Sequence, residues 1–399
     1  MRRRRGDTVG AREAFVSALA AAGAAGVDRL TGEALRQLGL LDYFDGRLRD
    51  AEERFREAYA LALQVDDDHG AGWALQHLAW SATTRGDYRL ADEVLADAGR
   101  VFTRLEDRGG LSWVAGTEGF VRLLQGRFCE ARELAGSLLP LGEARGERWG
   151  VAALLVIDAL AAAELGEVRV AAEQAEQARE RFAEVADAWG QALALTAAGI
   201  AARGADEPDR AVALFDDAVR LAERRHPVVA GLALVAAGYA HLDRGDLDSA
   251  EGCAWRAAAQ LAGLDLEPAA AVGSKVLLAQ VLRRRGQLAA ALAELDEALS
   301  ATGTPALLFP LRQALSHRAG TLLELGRTEE ALVAAQEAVA TPAEDVRSRV
   351  LALRGLGAAL RACGRPVEAH AALSEALEIA LSTDMRSEVA ATERLLVRT

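Results

Sequence analysis

The sequence predicts an all-α solenoid built from antiparallel helix hairpins, on the basis of three observations. A pattern of turn residues recurs about every forty residues, small side chains recur at fixed distances from each turn, and the composition favours helix. Hydrophobic residues make up 51% of the 399 residues but aromatic ones only 5%, and the abundant alanine and leucine are strong helix formers. Because a solenoid grows by adding units, this length does not require separate globular domains.

The repeat is clearest as a turn residue followed five residues later by alanine, which occurs ten times. The turn residues are Gly6, Gly46, Gly86, Gly126, Gly166, Asp206, Gly245, Gly286, Gly326 and Gly364. The alanines are Ala11, Ala51, Ala91, Ala131, Ala171, Ala211, Ala250, Ala291, Ala331 and Ala369. Glycine readily adopts the left-handed conformation that ends a helix. Each pair therefore predicts that helix A of a unit ends at the turn and helix B begins after it.

Two further positions carry small residues. Seven residues after the alanines stand Ala18, Ala58, Ala98, Leu138, Ala178, Ala218, Ala257, Ala298, Ala338 and Ala376, so that nine of the ten are small. Seven residues before the turns stand Gly39, Ala79, Gly119, Ala159, Gly199, Gly238, Ala279, Ala319 and Gly357. Small side chains let two helices approach closely, because the side chains at a crossing set the distance between helix axes.

These positions predict one solenoid over residues 1–399, made of ten units. The units are 1–22, 30–62, 70–103, 110–141, 149–183, 189–224, 228–263, 269–301, 308–340 and 346–381, with a capping helix at 385–398. The first unit holds only its turn and helix B, and Arg2–Asp7 look like the end of a missing helix A. This indicates the C-terminal part of a longer protein, although a short N-terminal helix that caps itself is the alternative.

Small residues at these three positions around a glycine turn resemble the tetratricopeptide repeat (TPR), over essentially the whole chain. The units are longer than the usual TPR unit. In this they are similar to repeats of regulators related to the maltose-regulon activator and of actinobacterial multidomain ATPases and adenylate/guanylate cyclases. The resemblance implies a right-handed superhelix of hairpins, with helix A lining the inner surface.

Sequence motifs for catalysis are lacking. The single lysine, Lys275, is not part of a phosphate-binding loop, and the six histidines show no metal-ligand spacing. Carboxylates fall at solvent-facing helix positions and in turns. We therefore predict a protein that is not an enzyme and has no cofactor or metal.

Charge and hydropathy narrow the possible partners and the location. The net charge of -13 and the pI of about 5.1 disfavour nucleic acid, whose phosphates an acidic protein repels. No apolar run has the length of a membrane span, and no signal peptide is evident. Three widely spaced cysteines look like buried, reduced thiols. A cytoplasmic protein with no membrane partner is predicted, and the depletion of residues with A/T-rich codons indicates a GC-rich bacterial genome.

If helix A lines the inner surface, five of the six tryptophans face it in the N-terminal half. Partner sites favour tryptophan, tyrosine and arginine. The inner positions predict an aromatic-lined partner-binding groove, with tryptophans wedged between hairpins as ordinary core as the alternative. The candidates are Arg36, Tyr43, Trp73, Gln76, Trp80, Trp113 and Phe120, joined one helical turn earlier on the same face by Trp149 and Trp189.

Farther along, the same inner positions form a sparse basic track. Its members are Arg203, Tyr239, Arg283, Arg354 and Arg361. Such a track could receive a carboxylate or an acidic peptide through charge-assisted hydrogen bonds. Alternatively, carboxylates on the neighbouring helices B neutralise it.

Together these features predict a protein- or peptide-interaction scaffold. We interpret it as the C-terminal sensing or docking region of a larger bacterial signalling or transcription-regulatory protein, whose partner is a protein, a peptide or upstream domains of the same polypeptide. The alternative function is a receptor for a small-molecule inducer, held in the aromatic-lined groove. Absence of asparagine rules out carrying over the asparagine clamp with which some TPR relatives hold peptide backbones.

Overall fold

The computed structural model describes residues 8–223, 226–262, 264, 272–301, 308–383 and 385–397. Over these residues the chain forms twenty α-helices and no β-strand, as the predicted all-α class requires. The predicted turn at Gly6 and the basic run before it lie outside the described residues. The division into ten units remains a prediction.

The helices follow one another along the chain. They are α1 (Thr8–Ala24), α2 (Asp28–Phe44), α3 (Leu48–Gln64), α4 (Asp68–Arg85), α5 (Tyr88–Arg104), α6 (Arg108–Gln125), α7 (Phe128–Arg145), α8 (Arg148–Glu164), α9 (Val168–Glu184), α10 (Ala188–Gly204), α11 (Pro208–Ala222), α12 (Pro227–Asp243), α13 (Leu247–Ala262), α14 (Val272–Arg284), α15 (Leu288–Ala301), α16 (Leu308–Glu324), α17 (Thr328–Ala340), α18 (Val346–Ala362), α19 (Pro366–Ser382) and α20 (Arg386–Leu396). From α2 to α19, even-numbered helices are helices A and odd-numbered ones helices B.

Left-handed residues end the helices A. All nine predicted turn residues within the described part have a positive φ, from 57° at Asp206 to 90° at Gly86. A second set of left-handed residues joins helix B to the next helix A in the first half of the chain, and the sequence analysis did not single it out. It consists of Gly26, Asp66, Glu106, Gly146 and Ala186.

The predicted small residues lie where helices cross. The alanines five residues after the turns are fully buried from Ala51 to Ala369. At Ala18 the expectation of close packing is wrong, since this residue of α1 is exposed. The expectation that all three cysteines are buried is also wrong, because only Cys253 is buried and Cys129 is exposed.

Helices A of successive hairpins pack directly on one another, for example α8 on α10 and α16 on α18. This contact places helices A on the inner side of the superhelix, as the TPR resemblance implies. None of the described helices combines the length and the apolar character needed to cross a membrane.

The superhelix is wound so tightly that segments far apart in sequence touch. In the N-terminal half, a side chain added at Gly46 would come within 2.8 Å of Pro227 and Leu264. In the C-terminal half, the backbone N–H of Ser387 donates to Asp206 Oδ2 at 2.9 Å. The backbone N–H of Cys129 likewise donates to Glu344, at 2.7 Å. The inner surface is therefore enclosed rather than laid out as one long open groove.

Candidate functional site: the tryptophan cluster

Five tryptophans from four consecutive helices A lie together on the inner surface. They are Trp73 and Trp80 on α4, Trp113 on α6, Trp149 on α8 and Trp189 on α10, and we call them the tryptophan cluster. The rings of Trp113 and Trp149 stack with centroids 5.3 Å apart, and those of Trp149 and Trp189 stack at 5.9 Å. Trp73 and Trp80 approach Trp113 at 6.3 and 6.2 Å. Each such aromatic pair stabilises the fold by about 0.5–1.5 kcal/mol in addition to the effect of the buried apolar area.

Hydrogen bonds fix the orientation of three of these rings, among them Trp73, whose indole N–H donates to His69 Nε2 at 3.2 Å. The indole N–H of Trp80 donates to Thr117 Oγ1 at 3.0 Å, and Gln76 Nε2 donates to the same oxygen at 2.8 Å. The indole N–H of Trp149 donates to Asp187 Oδ2 at 2.9 Å. Asp187 is also the N-cap of α10, where its other oxygen accepts from the N–H of Gly190. The rings of Trp80 and Trp149 are thus each tied to the next helix A along the chain.

Next to the cluster is an apolar cavity with a non-protein volume of about 840 Å³, part of which is open to solvent. Tyr43, Trp80, Trp113, Phe120, Trp149 and Trp189 line it together with Leu138, Leu154, Ile157, Phe182 and Leu193. Trp73 is not among the lining residues. All five tryptophans are half-buried, so each contacts the core, and the four that line the cavity also present surface to it.

Tyr43 is the polar aromatic residue of the cavity wall. Its hydroxyl group pairs with Thr84 Oγ1 at 2.9 Å, and its ring lies 5.8 Å from that of Trp80. Burial raises the pKa of the Tyr43 hydroxyl above its usual range of about 10. The side chain is therefore neutral and serves as part of an apolar wall.

Phe44 connects the cluster across the superhelix, and the sequence analysis missed it. Its ring is edge-on to Trp80 at 6.5 Å and to Trp189 at 6.0 Å, and it also lies 6.1 Å from the ring of His226. Trp189 is 145 residues farther along the chain. Phe44 thus makes a contact beside the cavity that no local sequence pattern predicts.

The predicted basic residues form ion pairs of their own instead of joining the cluster. Arg203 Nε lies 2.6 Å from Asp243 Oδ2, and its guanidinium group also stacks over the ring of Tyr239 at 5.1 Å. Arg283 Nη2 lies 2.6 Å from Glu324 Oε1.

The last two basic candidates and Arg36 are also engaged. Arg354 pairs with Glu388, Arg361 donates to the carbonyl of Leu395 at 2.9 Å, and Arg36 pairs with Glu33. The expectation that helices B neutralise the track is wrong: the carboxylates that pair with Arg203, Arg283 and Arg354 lie on α12, α16 and α20, each the next even-numbered helix.

The cavity wall is almost entirely apolar. Of the described residues that line it, Glu147 alone carries a charged side chain, so the wall holds no pair of acid and base groups. No group of three or more metal-ligating side chains occurs in the part of the chain that the structure describes.

Comparison with known proteins identifies the fold. No family model matches the sequence, and no curated protein matches it. A Rap protein crystallised in complex with Competence and Sporulation Factor superimposes with a TM-score of 0.61 at 13% identity, covering 92% of this chain and 97% of that one. The Cut9–Hcn1 hetero-tetramer of the APC/C gives a TM-score of 0.52 at 12% identity, covering 98% of this chain and 87% of that one. Both are TPR proteins.

The chain has the TPR fold. This confirms the fold class predicted from the small residues and glycine turns. At 12–13% identity the similarity establishes the fold alone. The function of this chain depends on the residues of its own inner surface.

Proposed function

We propose that this TPR protein is a non-catalytic interaction scaffold that holds a protein or peptide segment by an apolar side chain inserted into the tryptophan-lined cavity. The observation that carries the proposal is the set of four tryptophans, half-exposed and oriented by neighbouring groups, that line one apolar cavity. Tryptophan and tyrosine dominate the energetics of protein interfaces because they bury a large area at low entropic cost.

The tight winding argues for a short segment. A long extended peptide needs an open groove, whereas here Phe44 and Trp189 bring opposite sides of the superhelix into contact. An anchor side chain with a few flanking residues fits the cavity better. The segment would belong either to a separate protein or to another part of the same polypeptide.

We further propose that the scaffold is a sensing or docking region of a bacterial signalling or regulatory protein in the cytoplasm. The Rap protein of similar fold is complexed with Competence and Sporulation Factor, which supports a signalling role for a superhelix of this shape. The composition, which indicates a GC-rich bacterial genome, agrees with this setting.

A second candidate function is a receptor for a small apolar inducer. It is favoured by one observation: the cavity wall comes from several helices between α2 and α10, as in a pocket that surrounds a compact ligand.

Tryptophan fluorescence separates these functions. We would titrate the purified chain with peptides selected from a display library and with a panel of apolar small molecules, and compare Trp113→Ala with Trp255→Ala. Trp255 is 59% exposed on α13 and serves as the matched control. Loss of a central aromatic anchor costs 2 kcal/mol or more at an interface, so we expect Trp113→Ala to weaken peptide binding about 30-fold or more and Trp255→Ala to have little effect.

Each outcome has a distinct meaning. Binding of small molecules but of no peptide, lost in Trp113→Ala, would establish the receptor in place of the scaffold. Peptides that bind Trp113→Ala as well as the unaltered chain would show that the cavity is not the site. Circular dichroism checks that both variants remain helical.

A further inference from the structure

Most polar groups on the cavity wall already have partners. Thr117 Oγ1 accepts from Trp80 and Gln76 and donates to the carbonyl of Trp113 at 2.8 Å. The Tyr43 hydroxyl is paired with Thr84. A ligand therefore finds little hydrogen-bonding capacity in these groups.

Ser112 is engaged in the same way. Its hydroxyl donates to the carbonyl of Arg108 at 2.9 Å and accepts from Arg145 Nη1 at 2.8 Å. Arg145 Nη1 also donates to the carbonyl of Arg108, at 3.1 Å. The guanidinium group is thus held at the rim beside Ser112 and is not itself part of the lining.

Glu147 differs from these groups. It precedes α8 as its N-cap residue, yet its carboxylate accepts no capping hydrogen bond from the helix. The nearest cation, Arg145 Nη1, lies 3.8 Å away, which is beyond hydrogen-bond distance. The side chain is 30% exposed and belongs to the cavity wall two residues before Trp149. Glu147 can therefore accept hydrogen bonds from a ligand.

We propose that the occupant of the cavity is an apolar or aromatic anchor that carries a positive charge, and that the carboxylate of Glu147 binds the charged group. The inference rests on the proposed function and adds the chemical class of the ligand. A cation at this position would gain a carboxylate partner and the negative faces of the neighbouring indoles. The net charge of -13 attracts cationic segments over longer distances. In a peptide, the anchor would be a large apolar side chain next to lysine or arginine.

Three probes with the same aromatic body test the charge: 2-phenylethylamine, 2-phenylethanol and 3-phenylpropionate. Their binding is followed by tryptophan fluorescence excited at 295 nm, where the probes do not absorb. We expect the amine to bind about five-fold more tightly than the alcohol, as for a partly exposed cation beside a carboxylate and aromatic rings, and the propionate to bind more weakly than the alcohol.

Two variants assign the effect to Glu147. Glu147→Gln should remove the advantage of the amine while leaving the affinity for the alcohol unchanged. Arg145→Gln should raise the affinity for the amine, because it removes a competing cation from the rim. Added salt should weaken the binding of the amine more than the binding of the alcohol.

Other outcomes of these binding measurements would contradict the inference. Equal binding of the three probes, or an amine preference that survives in Glu147→Gln, would overturn the inference while leaving the cavity as a binding site. Preference for the propionate, lost in Arg145→Gln, would assign an anionic ligand instead. If none of the three bound the unaltered chain, the proposed cavity would fail, and this inference with it.

Discussion

At the scale of single residues, glycines on helix A make room for phenylalanines on helix B. A Cβ at Gly199 would lie 2.4 Å from Phe215 Cε1, and Phe215 is fully buried. The same pairing occurs between Gly39 and Phe55, at 2.6 Å. Each glycine thus accommodates a ring that fills the space between two helices.

This pairing predicts that Gly199→Ala destabilises the fold. Overpacking of a tight core costs about 1–3 kcal/mol, and the gain of about 1 kcal/mol in helix propensity offsets only part of it. Gly119 is the matched control, because the nearest atom to a Cβ there is 3.6 Å away. Gly119→Ala should be neutral or slightly stabilising. Urea denaturation followed by circular dichroism measures both, and equal shifts in the two midpoints would contradict the explanation.

The sequence identifies these positions but not their partners. Glycine and alanine seven residues before the turn indicate a close crossing at both Gly199 and Gly119. Whether the crossing encloses a ring depends on the residue opposite, which is Phe215 in one hairpin. The distances of 2.4 and 3.6 Å separate two sites that the repeat pattern treats as equivalent.

At the scale of elements, the turns within the hairpins were predicted from their regular spacing, whereas the turns between hairpins were missed. The forty-residue spacing predicted a turn at Asp206 although the residue is not glycine, and its φ of 57° confirms this prediction. Asp66, Glu106 and Ala186 also have positive φ, yet their side chains give no sign of it. The position is imposed by the packing of successive hairpins and not by the residue itself.

We expect Ala186→Gly to stabilise the protein by about 1 kcal/mol, because a left-handed conformation costs an L-residue other than glycine about 1–2 kcal/mol. The flexibility of glycine in the unfolded chain returns part of the gain. Asp206→Gly should gain less, because Asp206 Oδ2 accepts from the N–H of Ser387 and this contact would be lost. Thermal denaturation of the two variants tests the difference, and a loss of stability in Ala186→Gly would refute the account.

At the scale of the whole molecule, contacts between distant units close the superhelix, and the sequence gives no sign of them. The repeat pattern places Trp80, Trp149 and Trp189 on one inner face. It cannot place Phe44 against Trp189, because that contact depends on how far each hairpin rotates relative to the last. Small rotations add up over several units, so the winding, and with it the shape of the cavity, is readable only from the structure.

A carboxyl group at one of these closures makes stability depend on pH. Glu164 ends α8, and its carboxyl group interacts electrostatically with Asp345, the N-cap residue of α18, with Arg347 of α18 and with Arg203 of α10. Burial, reinforced by the negative charge of Asp345, raises the pKa of Glu164 to about 8 despite the two arginines. The folded chain therefore favours the protonated carboxyl group at a place where residues some 180 positions apart meet.

Between the ordinary glutamate pKa of 4.5 and the folded value of about 8, the folded state binds more protons than the unfolded state. The contribution of Glu164 to stability must then fall as pH rises through this range and level off above it. Glu164→Gln keeps the neutral form at every pH, so its urea midpoint should exceed that of the unaltered chain by an amount that grows from pH 5 to pH 9. Glu53→Gln, at an exposed position of α3, is the control and should follow the unaltered chain at each pH. If the Glu164→Gln and Glu53→Gln profiles ran parallel, Glu164 would not be the source of the pH dependence.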